Sequence, residues 1–133
     1  MKYLLDTHYV LWSLLEPSKI NEKIKEILED PNKIKNISKI SFWEISVKYK
    51  IGKLELDGIT PEDILAGSQE AGFEIYDLSV EDIASSYKLP FIDNHRDPFD
   101  RLIIWQCMQN DLIMITADEK IKEYGKFNLK LLI

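Results

Sequence analysis

Short apolar runs of strand length alternate along this chain with longer amphipathic stretches, and that alternation constrains the fold more than any other feature. It predicts βαβ units around a mostly parallel sheet, an α/β/α sandwich. Tyr3-Leu4-Leu5 reads as a buried first strand ending at Asp6, and Thr7 to Leu15 as a helix stopped by Glu16-Pro17. Ser18 is placed to cap a second helix whose apolar stripe is Ile20, Ile24, Ile27 and Leu28. Lys35 to Ser38 is a second strand, and a third helix is expected to start at Ser41 and end at Gly52. Thr60-Pro61-Glu62-Asp63 marks another helix start, Phe73 to Tyr76 a third strand, and Ser79 a further cap. Asp97-Pro98 opens a long apolar helix to about Asn110; Leu112 to Ile115 is a fourth strand, Asp118 opens a short helix, and Leu129 to Leu132 is a fifth strand. No repeat or linker interrupts the 133 residues, so residues 1–133 are expected to form one domain.

Composition narrows the chemistry. Seventeen Lys+Arg against twenty-three Asp+Glu give a net charge of −6, which argues against broad adhesion to nucleic acid or anionic membrane while leaving room for local basic patches. The lone Cys107 lies in an apolar run and excludes both an internal disulfide and a cysteine-based zinc site. No apolar run reaches the ~20 residues that span a bilayer, and Asp6 comes too early for the apolar region of a signal peptide. The expected location is the cytoplasm, with no membrane partner.

Four acids sit where the chain changes element. Asp6 closes the first strand, and Asp118 follows the strand Leu112 to Ile115. Glu44 and Asp100 are expected in the first turns of helices, the ends that face the same crevice. Four converging carboxylates repel one another, and a hard divalent cation is the natural neutraliser. Such an ion can activate a water for attack on a phosphodiester. Each acid also has a structural reading: Ser41-Phe42-Trp43-Glu44 fits a capping box, Asp97-Pro98-Phe99-Asp100 fits a capped helix start, and Asp118 fits an N-cap. Asp6 resists that reading best, because an acid that ends a buried strand usually has a partner or a ligand. Lys48, four residues after Glu44, is either its ion-pair partner or, like Arg101, a holder of phosphate. Lys48, Lys50 and Lys53 at one helix end, and Arg96 and Arg101 at another, form patches able to position a phosphate backbone. Trp12, Trp43 and Trp105 fall at helical core spacings.

Tyr3-Leu4-Leu5-Asp6-Thr7-His8, Ser41-Phe42-Trp43-Glu44-Ile45, His95-Arg96-Asp97-Pro98-Phe99-Asp100-Arg101 and Thr116-Ala117-Asp118-Glu119 resemble, in order, the motifs of PIN-domain ribonucleases, nearest to VapC-type toxins of bacterial toxin–antitoxin (VapBC) pairs. The resemblance runs from residue 1 to the last strand. It implies that Asp6, Glu44, Asp100 and Asp118 gather around Mg²⁺ or Mn²⁺ and promote hydrolysis of RNA by a metal-activated water. Thr116 matches a hydroxyl that orients the first acid, and Asp97 a residue that holds its helix start or supports the site from behind. His8 stands where many members carry Asn. A homodimer and a cognate VapB-like antitoxin, which inserts an arginine-bearing segment into the acidic groove, are the implied partners. The alternatives are a free-standing PIN nuclease or RNA-processing factor, a non-catalytic RNA- or protein-binding module, and a flap-endonuclease-type relative that cuts DNA. A receiver-like signalling module fits poorly, because Asp6 is followed by Thr7 rather than a second acid.

Overall fold

A computed structural model describes residues 1–92 and 94–133. Five strands, β1 (Lys2–Leu5), β2 (Ile34–Ser38), β3 (Glu74–Tyr76), β4 (Ile113–Ile115) and β5 (Leu131–Leu132), form one sheet in the order β3-β2-β1-β4-β5. Every pairing is parallel; Leu5 lies opposite Ile37 on one side and Ile115 on the other. The chain winds outward from β1 through β2 to β3, then returns to place β4 against the free side of β1. That reversal makes the β1/β4 boundary the switch point, where parallel sheets open a crevice beyond their carboxyl ends.

Among the described residues, seven α-helices cover the two faces: α1 (Thr7–Leu15), α2 (Glu22–Glu29), α3 (Lys39–Lys50), α4 (Pro61–Glu70), α5 (Val80–Ser85), α6 (Pro98–Gln109) and α7 (Glu119–Lys122). Alternation along β1 divides the core. Tyr3 and Leu5 pack with Val10, Ile24, Ile45 and Ile64 of α1 to α4. Leu4 points the other way, to Ile103 and Ile104 of α6, Ile121 of α7 and Tyr124. The result is the α/β/α sandwich expected from the chain's apolar rhythm. Cys107 is fully buried, and burial pushes its thiol well above the ordinary range, as befits a packing residue.

Several local expectations are corrected. Ser18 does not cap the second helix; it falls in a short 3₁₀ turn, Pro17–Lys19, and Asn21 accepts the Ile24 N–H instead. The third helix starts at Lys39 rather than Ser41, because the Ser38 hydroxyl at the end of β2 already accepts the Ile40 N–H. Glu44 therefore lies in the helix interior, outside the first turn, and the Ser41–Glu44 capping box does not form. Trp105 is buried and Trp12 half-buried, but Trp43 is 59% exposed, its ring edge-on to Phe99 at 5.0 Å. The Thr60–Asp63 capping box and the Ser79 cap form as the sequence suggests.

Candidate metal centre

Each acid reaches the crevice by a different local route. Asp6 leaves β1 as the N-cap of α1: Oδ1 accepts the Tyr9 N–H at 2.9 Å, and Oδ2 accepts the Thr116 hydroxyl at 2.5 Å. Thr116, directly after β4, passes the linkage on, since its oxygen accepts the Asp118 N–H at 3.1 Å. Asp118 in turn caps α7 through Lys120 N–H. Two β strands, two caps and one hydroxyl thus fix Asp6 and Asp118 side by side across the switch point. Burial pushes the Asp6 carboxyl above its ordinary range and the Asp118 charge adds to this, while the Thr116 and Tyr9 hydrogen bonds and His8 pull it back.

Glu44 comes from the neighbouring strand–helix unit. It is buried; Oε1 accepts the Thr7 hydroxyl at 2.6 Å and Oε2 pairs with Lys48 one helical turn on. Thr7 also meets the Ser41 hydroxyl at 2.9 Å, so the first residue of α1 orients an acid of α3. Burial works against the Lys48 charge, but the hydrogen bond and charge of Glu44, with Asp97 and Asp100 beyond, outweigh it and hold the ammonium above its ordinary pKa.

The start of α6 completes the group. Asp97 is the N-cap, its Oδ1 accepting the N–H groups of Phe99 and Asp100, and Asp100 stands in the first turn. Ligand atoms of Glu44, Asp97 and Asp100 lie within 4.8 Å of one another, as do those of His95, Asp100 and Asp118. Asp100 belongs to both sets and is the hub. Burial first, then the charges of Asp97 and Glu44, push its carboxyl up to about 6, and His95 offsets this only in part. An acid raised by like charges marks a place that a cation would relieve, and a set rich in carboxylate oxygens suits a hard divalent ion. The residues therefore fit a hard divalent cation. Asp6 lies in neither set and approaches through Asp118 and Thr116.

His8 is exposed and lines two shallow clefts, one of about 200 Å³ with Asp6, Trp12 and Asp118, the other of about 160 Å³ with Thr7, Glu44, Lys48 and Lys53. A larger cavity, about 560 Å³, opens beside Ile34, Lys35 and Phe73 near the opposite ends of β2 and β3 and gathers none of the four acids. The half-buried Arg101 uses its guanidinium to donate to Leu89 O, Pro90 O and the Tyr124 hydroxyl. The sequence pattern gave no site role to Thr7, His95 or Tyr124, and marked Ser41 only as a helix cap. Thr7 carried the one available signal, a hydroxyl immediately after the strand-ending acid.

A family model described as PIN domain matches residues 3–127. No curated protein matches the chain in sequence. Among solved structures, the chain is similar to VapBC2 from Rickettsia felis bound to a DNA fragment from its promoter, at 20% identity and a TM-score of 0.66 over 99% of this chain and 98% of that one. It is similar to DNA-bound VapBC from Salmonella typhimurium at 15% identity and a TM-score of 0.62, over 99% and 97% of the two chains. VapBC-1 from nontypeable Haemophilus influenzae gives 19% and 0.62 over the same shares. At these identities the likeness speaks to the fold.

Proposed function

Because the chain belongs to the PIN domain family, we propose that it is a metal-dependent endoribonuclease of one domain, residues 1–133, and the toxin of a cytoplasmic toxin–antitoxin pair. The observation that carries this is the convergence of Glu44, Asp97 and Asp100 on one point, with Asp118 joined to the same Asp100. Asp6, Glu44, Asp100 and Asp118 would hold the ion, with Asp97 a fifth acid at hand. Bound Mg²⁺ or Mn²⁺ would polarise the phosphodiester and lower the pKa of an attacking water. Thr7 and Thr116 fix the carboxylates of Glu44 and Asp6, so the site is organised before substrate arrives. Lys48 neutralises Glu44 and, at the mouth of the cleft shared with His8 and Lys53, is placed to meet an RNA phosphate.

The solved relatives are VapBC assemblies, which supports a VapB-like antitoxin as partner, and we propose a homodimer as the working form. An arginine from that partner would find acceptor carboxylates in the groove. The test is cleavage of RNA by purified protein: activity should vanish with chelator, return with Mg²⁺ or Mn²⁺, and fall when the neighbouring gene's product is added. Chelator-resistant cleavage would defeat the metal mechanism. Full activity alongside that product, from a strict monomer, would leave a free-standing nuclease.

A further inference from the structure

A directed chain of hydrogen bonds runs from Arg101 to Asp100 through two buried rings. Arg101 Nη1 donates to the Tyr124 hydroxyl at 2.9 Å. That hydroxyl lies 3.0 Å from His95 Nδ1, and His95 Nε2 lies 3.2 Å from Asp100 Oδ2. A guanidinium has donors and no acceptor, so the Tyr124 hydrogen can go only to the imidazole. Nδ1 is then the acceptor, and the hydrogen of the neutral ring sits on Nε2, aimed at Asp100. Tyr124 is fully buried and His95 is 4% exposed, which leaves no room for bulk water to reverse this order. The far end is clamped as well: Arg101 donates to Leu89 O at 2.6 Å and Pro90 O at 3.1 Å, and lies 4.3 Å over the Phe91 ring.

We infer that His95 is a positioning residue whose tautomer is set by Arg101 and Tyr124, so that it donates to Asp100 and aims that carboxylate at Glu44 and Asp97. The inference deepens the proposed function and rests on Asp100 being a metal ligand. It also decides between two uses of one ring. His95, Asp100 and Asp118 are close enough to share an ion, but a nitrogen that carries hydrogen cannot ligate, so the ring serves the ligand instead of joining it. Arg101 thereby becomes the anchor of the relay, not a holder of phosphate.

Nitrogen-15 NMR of the imidazoles in the full chain, without metal at neutral pH, reads the tautomer directly. The expected result is a His95 ring with a bare Nδ1 and a protonated Nε2 that keeps its hydrogen when Mg²⁺ is added. Hydrogen on Nδ1, or loss of the Nε2 hydrogen on adding Mg²⁺, overturns the inference. Tyr124→Phe keeps the ring and removes the hydroxyl. It should give a mixed tautomer at His95, leave the signals of exposed His8 unchanged, and weaken Mn²⁺ binding, followed by electron paramagnetic resonance of the free ion, by about 10-fold. An unchanged tautomer or an unchanged affinity overturns the inference. A wild-type chain that neither binds Mn²⁺ nor cuts RNA would defeat the proposed function instead, because the tautomer is measured without metal.

Discussion

Asp6 and Asp100 stand at the same edge of the sheet, yet the fold treats them in opposite ways. Asp6 is 4% exposed, and both its oxygens are engaged by the chain, one by the Tyr9 N–H and one by Thr116. It ties β1, α1 and the end of β4 together. Asp100 receives a hydrogen bond from His95 and otherwise faces Asp97 and Glu44, whose charges add to burial in raising its carboxyl to about 6. The helix it starts is already capped by Asp97. One acid is accounted for by the architecture, whereas the other is held among like charges at a cost that a metal ion or a bound proton removes. An acid's burial thus says little about its role until its partners are counted.

Catalysis should not separate the two, because both are assigned to the ion. Asp6→Asn and Asp100→Asn are each expected to lower RNA cleavage by roughly a hundredfold to a thousandfold or more, the range seen when a single group stabilising developing charge is removed. Initial rates at saturating Mg²⁺ check this. If Asp6→Asn retains near-full activity while Asp100→Asn loses it, Asp6 belongs to the scaffold alone.

Stability should separate them, by a smaller amount. Asp6→Ala removes an N-cap and leaves the buried Thr116 hydroxyl without its acceptor, offset in part by relief of a desolvated charge. The expected net loss is roughly 1–3 kcal/mol. Asp100→Ala leaves the Asp97 cap in place and removes the repulsion, which offsets the acceptor lost to His95, so metal-free stability should hold or rise slightly. Urea unfolding of both variants in chelator at neutral pH makes the comparison. Equal losses would mean that Asp100, too, is part of the architecture.

The contrast explains what was legible in the sequence. Strand ends are strong signals, because a charged residue closing an apolar run has few places to go; Asp6 and Asp118 were found that way, and the parallel sheet followed from the same runs. The start of α6 was equally readable from Asp97-Pro98. The start of α3 was not. Ser38 and Ser41 are both competent caps, and the choice fell to Ser38 because the chain turns at the very end of β2, leaving Ser41 buried against Thr7. That three-residue shift moved Glu44 from a helix start to a helix interior without removing it from the site. His95 and Tyr124 meet across 29 positions of sequence, a separation that no local pattern encodes. Trp43 misled for a related reason: helical spacing gives a face, but only packing decides whether the face is covered.

The smallest expected effect is on the pH dependence of folding in metal-free protein, and it bears on Asp100 most directly. A carboxyl whose folded-state value is raised from 3.8 to about 6 binds its proton more tightly when folded than when unfolded. Its contribution to stability is therefore fully present below pH ~4 and is lost as pH rises through about 6, the reverse of a carboxylate held in an ion pair. Asp6 is raised in the same direction, so its share falls with the same sign. In Asp100→Asn the Asp100 share disappears. The difference in unfolding free energy between this variant and wild type should then shift in the variant's favour, by on the order of 1 kcal/mol, between pH 4 and pH 7. Adding Mg²⁺ to the wild type should flatten its slope, because the ion favours the ionised acid. Parallel pH profiles for the two proteins in chelator would mean that Asp100 ionises unperturbed, and that the contrast with Asp6 lies only in their hydrogen bonds.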